Sequence, residues 1–72
     1  MPRVGASARI AHFGGGFEHG VVVAVSEEGR RVEVRGEDGE VLAFVLSPAT
    51  ARFMSADSAH GPRLELLGDG AG

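Results

Sequence analysis

The chain contains no cysteine, no lysine, no tryptophan and no tyrosine. Without cysteine there is no disulfide framework, no thiol nucleophile and no thiolate-based zinc site. Without lysine the phosphate loop of nucleotide hydrolases cannot be completed, because that loop needs an ammonium on the phosphates. Long apolar runs are also missing: nothing approaches the roughly 20 residues that a membrane-spanning helix needs. The start, Met1-Pro2-Arg3-Val4-Gly5, lacks the apolar core of a secretory signal. With no cysteines either, a cytoplasmic location is the expectation. The charge has no excess of the positive sign. Seven arginines face ten acids, a net of −3, which is a poor basis for wrapping bulk DNA.

What is present fits one small domain. A chain of 72 residues is too short for two ordinary domains. The expectation is a single domain over residues 1–72, ordered at about 5–67, with a fraying tail at 68–72. An apolar fraction of 43% is ordinary for a globular protein, so the chain can fold. A core this small has little capacity for a buried polar catalytic cluster. That every base is arginine suggests coding bias, alongside abundant Ala, Gly and Val. The planar guanidinium also suits carboxylate and phosphate recognition.

The periodicity is that of strands. Arg31-Val32-Glu33-Val34-Arg35 alternates cleanly, with two valines on one face and charges on the other. Val21 to Val25 is β-branched at four of five positions, which favours a strand. Val41 to Leu46 is apolar on both parities and predicts a strand covered on both faces, or one in tight packing at the barrel centre. Ala8 to Phe13 predicts a first strand and Arg63 to Leu67 a last one. Between them lie turn residues. Glu37-Asp38-Gly39-Glu40 is an Asp-Gly hairpin signal, and Glu27-Glu28-Gly29-Arg30 a second turn. Gly14-Gly15-Gly16-Phe17-Glu18-His19-Gly20 predicts a longer, glycine-rich loop. Ser47-Pro48 begins like a helix, with a capping serine and proline at the first helical position, and predicts one or two turns. Met54 to Pro62 predicts a loop. Charge is uneven along this series. Residues 26–40 hold six acids against three arginines, whereas residues 1–25 hold one glutamate against two.

Five short strands with apolar faces must hide their edges, and closure into a barrel does so. The expected fold is therefore all-β: a five-stranded antiparallel SH3-like barrel with a short helical turn before the last strand. Gly20-x-Val22-x-x-Val25 followed by Val32-x-Val34 resembles the core of KOW motifs and of related Tudor-type barrels. Ile10 and the glycine stretch from Gly14 fit the first strand and loop of that pattern. The resemblance covers roughly residues 5–46. It implies the barrel fold first. It implies, second, contact with RNA or proteins (the KOW type) or with peptides (the Tudor type). The chain departs from both types: it is acidic where KOW proteins are basic, and its aromatics are four phenylalanines, too few for a methyl-lysine cage.

Candidate chemistry is sparse. His12, Glu18 and His19 bracket the first loop, but a metal site needs three or four ligands in defined geometry, and His60 lies far along the chain. The expectation is no metal and no cofactor. The triple glycine opens no helix, so it matches no dinucleotide fingerprint. Ser55-Ala56-Asp57-Ser58-Ala59-His60 contains Ser, Asp and His, yet a triad needs buried, mutually oriented groups, and a loop supplies none. The expectation is no enzyme. Phe13 and Phe17 flank the glycines and have two readings: caps on the open barrel end, or exposed anchors for a partner. Phe44 and Phe53 belong to the core. Arg31 and Arg35, with Arg9 as a possible neighbour, form either an anion-binding strip or a solvated strand face.

The residues singled out for binding are Arg9, His12, Phe13, Phe17, His19, Arg31 and Arg35. The function expected is a non-catalytic interaction module for a protein partner. The alternatives are a KOW-like contact with RNA or DNA, or a small structural subunit of a larger assembly, a homo-oligomer included.

Overall fold

The computed structural model describes residues 2–57 and 61–67. Among the described residues six strands follow one another: β1 (Ser7–Ala11), β2 (Phe17–Ser26), β3 (Arg31–Arg35), β4 (Val41–Leu46), β5 (Phe53–Ser55) and β6 (Arg63–Leu66). Each pairs antiparallel with its neighbours, and β6 returns to β1, so the barrel is closed. The all-β barrel agrees with the sequence and fits a generic SH3-like barrel.

Alternation sorts the side chains. Ala8, Ile10, Val22, Val32, Val34, Phe44 and Leu64 point inward and are buried, with Phe44 and Ile10 among the largest fully enclosed side chains. Val32 and Val34 sit opposite Phe44 and Leu42, as the period of two requires. The spacing Val22-x-x-Val25 breaks that period, and the register shows why. Val22 faces Val34 and Ala24 faces Glu33, so Val23 is the extra residue of a β-bulge. The bulge brings Val25 back against the core. Among the described residues no polar or charged side chain is buried, and no helix is long and apolar enough to cross a membrane.

The six-strand count corrects the expectation of five. Phe53–Ser55 is three residues long, too short to show alternation, and became a strand only because β4 and β6 flank it. The expected helical turn at Ser47-Pro48 does not form. Ala51 donates to the Ser47 carbonyl at 2.8 Å, Ser47 donates to the Arg52 carbonyl at 2.8 Å, and Ala51 takes φ +58. That left-handed residue reverses the chain where a helix would have to continue, and a single turn alone carries the full nucleation cost of a helix. Among the described residues the one helical element is a 3-10 turn at Glu27–Gly29, between β2 and β3, in which Glu27, Glu28 and Gly29 all have positive φ.

Two boundaries also moved. β1 ends at Ala11 and β2 starts at Phe17, so the expected loop of residues 14–20 shrinks to a tight turn. His12 donates to the Gly16 carbonyl at 3.0 Å and Gly15 to the His12 carbonyl at 3.1 Å. Gly14, Gly15 and Gly16 have φ of +96, +109 and +90, a run that side-chain-bearing residues would strain. β4 is not covered on both faces: Leu42, Phe44 and Leu46 face inward, but Val41 is exposed and Ala43 and Val45 are half-buried.

Candidate functional site

A groove of about 1050 Å³ opens where the Gly14–Gly16 turn overhangs the barrel wall. Its sides come from three stretches distant in sequence: residues 11–17, residues 51–54 and residues 61–66. Pairing brings them together. Ala11 lies opposite Phe17 on β2 and opposite Arg63 on β6, and Arg63 lies opposite Met54 on β5. These four alternate with the buried positions, so they form one row on the outer surface. Ala11 is small and lies in register between Phe17 and Arg63.

Phe13 and Phe17 are 76% and 64% exposed. They do not cap the core, and they line the groove. The Arg9 guanidinium lies over the Phe17 ring, 4.7 Å from its centroid. At an exposed site this cation–π contact contributes about 0.5–1 kcal/mol. Arg9 is also bound by Glu65 of β6, through both Nε and Nη2. Both side chains are solvated, so the pair adds about 0.2–1 kcal/mol. The combined effect is orientation: Phe17 is held flat against a fixed cation.

The other flank of the β1–β2 hairpin is acidic and latched. The Glu18 carboxylate meets His12 Nε2 at 2.6 Å with one oxygen and accepts the Glu37 backbone N–H at 2.9 Å with the other. Glu37 in turn accepts the His19 backbone N–H at 2.9 Å. The glycine-rich hairpin is thereby tied to the β3–β4 turn. There Asp38 accepts the Glu40 backbone N–H at 3.0 Å, and this bond is the main reason its carboxyl sits below the usual carboxylate range. Gly39, at φ +86, closes that turn as the Asp-Gly signal predicted.

The candidate residues therefore separate into groups. His12, Phe13 and Phe17 line the groove, and Arg9 stands beside it over the Phe17 ring. His19 faces outward on β2 beside Arg9. Arg31 and Arg35 do not join Arg9: β2 lies between β1 and β3, with Arg35 opposite Val21 and Arg31 opposite Ser26 at the far end. Among the described residues no cluster of three or more His, Asp or Glu is placed to hold a metal ion. Of the Ser-Asp-His run, Ser55 Oγ accepts the Asp57 backbone N–H at 3.2 Å, a local turn; Ser58 and His60 lie outside the described residues.

Two groove residues had drawn no attention in the sequence. Arg52 follows the left-handed Ala51, and Arg63 opens β6; both are exposed on the groove wall. The closing β6–β1 pairing, which places Arg63 beside Ala11, has no local signal. Compared with protein-family models, with curated proteins and with solved structures, the chain matches none.

Proposed function

We propose that this protein is a non-catalytic interaction module that binds a segment of another protein in the groove beside the Gly14–Gly16 turn. The observation that carries this reading is the pair of solvent-exposed phenylalanines, Phe13 and Phe17, on the groove rim. Exposed aromatics at a concave surface are what protein interfaces use as anchors. Phe17 is already oriented by Arg9, so little ordering cost remains at binding. Strand addition is a poorer route, since each strand already has neighbours on both sides. A groove of this size, open to solvent, suits affinities in the micromolar range or weaker.

The KOW-like alternative assigns Arg9, Arg31 and Arg35 to phosphate and Phe17 to a base. It is less well supported, because Arg9 is engaged by Glu65 and stands a strand away from Arg35. KOW or Tudor membership within the SH3-like barrels stays a proposal resting on the glycine–valine spacing.

Site-specific photo-crosslinking tests the reading. A photoreactive phenylalanine analogue is placed at position 17, and separately at position 41, where an exposed valine lies away from the groove. In cells that make the protein, position 17 is expected to give a discrete protein adduct and position 41 none. Adducts to nucleic acid alone, or equal adducts at both positions, would reject the groove as a protein-binding site.

A further inference from the structure

We infer that the groove selects an acidic segment, one that sets a carboxylate two or three residues from a bulky apolar side chain. This rests on the binding-module reading and deepens it by naming the chemistry of the partner. The groove is cationic on a molecule whose net charge is −3. Its walls carry Arg52 and Arg63 against one carboxylate, Glu65, and that carboxylate is already held by Arg9. Neither Arg52 nor Arg63 has a carboxylate within ion-pair distance among the described residues. The groove thus offers two guanidinium groups with no carboxylate partner among the described residues, on a wall shared with two exposed aromatic rings.

Geometry sets the spacing. Phe17, Ala11 and Arg63 lie side by side on three adjacent strands. Neighbouring strands are about 4.8 Å apart, so the backbone positions of Phe17 and Arg63 stand roughly 10 Å from each other. An extended peptide rises about 3.3 Å per residue, which places an apolar side chain on Phe17 and a carboxylate two or three residues away at Arg63. Ala11, between them, leaves the floor open.

A short acidic peptide fits better than a nucleic acid. On the other flank of the same hairpin stand Glu18, Glu37, Asp38 and Glu40. A polyanion longer than the groove runs into this negative field, whereas a short acidic segment ends before it.

The test is selection of a random displayed peptide library on the immobilised 72-residue chain. One enriched peptide is then titrated against the wild type, the Arg52→Gln/Arg63→Gln double variant and Phe17→Ser. Enriched sequences are expected to pair Asp or Glu with Phe, Leu or Ile at the stated spacing. The double arginine variant should bind at least about fivefold more weakly, and wild-type affinity should fall as salt rises. Enriched apolar peptides without acids, bound through Phe17 and indifferent to the arginine changes, would overturn the acidic preference and leave the module intact. Failure of any peptide to enrich would overturn both. Displacement of the peptide by oligouridylate at equal concentration would assign the groove to nucleic acid instead. All three positions are exposed, and circular dichroism melts confirm that the variants remain folded.

Discussion

Alanine at position 20 adds one methyl group where the barrel has no space for it. Gly20 faces inward on β2, opposite Ala8. A Cβ there would lie 2.5 Å from Val34 Cγ1, 3.2 Å from the Arg35 carbonyl oxygen and 3.3 Å from Ile10 Cδ1. The first distance is far inside van der Waals contact, and Val34 is a stiff, fully buried side chain. Overpacking of this kind costs about 1–3 kcal/mol. Against it stands about 0.4–1 kcal/mol from the less flexible unfolded chain. The expected net loss is on the order of 1–2 kcal/mol, which lowers the melting temperature by roughly 5–10 °C in a domain of this size. With no tryptophan or tyrosine the natural fluorescence signal is weak, so urea and thermal unfolding are followed by far-ultraviolet circular dichroism.

The cause is tested by a second substitution. Val34→Ala removes the clashing methyl and by itself costs about 2 kcal/mol in lost burial and cavity. Together the two changes should cost less than their sum by about 1 kcal/mol, because the new methyl occupies the vacated space. A Gly20→Ala protein as stable as the wild type, or strict additivity of the pair, would show that β1, β2 and β3 are not packed so closely, and the account of barrel closure at Gly20 would fail.

Glu18→Met keeps much of the side chain's length but removes both acceptor oxygens, the one at His12 and the one at the Glu37 amide. Stability should fall by about 1 kcal/mol, with faster hydrogen exchange at the Glu37 and His19 amides; unchanged exchange at both would mean that Glu18 does not latch the two hairpins. Asp38 gives a pH effect of defined sign. Its carboxyl is lowered in the folded state, chiefly by the bond from the Glu40 amide, so the stability it contributes is present above its unfolded pKa and is lost as pH falls through the folded one. The advantage of the wild type over Asp38→Asn should hold at neutral pH and vanish as the solution is acidified well below about pH 4; an advantage persisting in acid would contradict the assignment.

Much of the fold was legible residue by residue. The alternation of Arg31–Arg35 set which valines face inward, and the Asp38-Gly39 pair marked a hairpin turn. Phe44 and Phe53 were readable as core and are buried. These features depend on neighbours within a few residues: a period of two, or a backbone angle that glycine takes readily. The sequence by itself therefore determined the strand class, most of the turns and most of the core. It also established that thiol chemistry is absent.

Tertiary structure decided the rest. The three residues of β5 are a strand only because β4 and β6 supply their partners. Phe13 and Phe17 carry no local mark that separates a core cap from a surface anchor; the tight turn and the outward parity of β2 put both in solvent. Arg9 pairs with Glu65 across a separation of 56 residues, and Arg52 and Arg63 meet at one groove through barrel closure. Register and closure are long-range properties, fixed by how six strands together hide their edges. The groove, with its cations on one flank of a hairpin and its acids on the other, exists only once that closure has occurred.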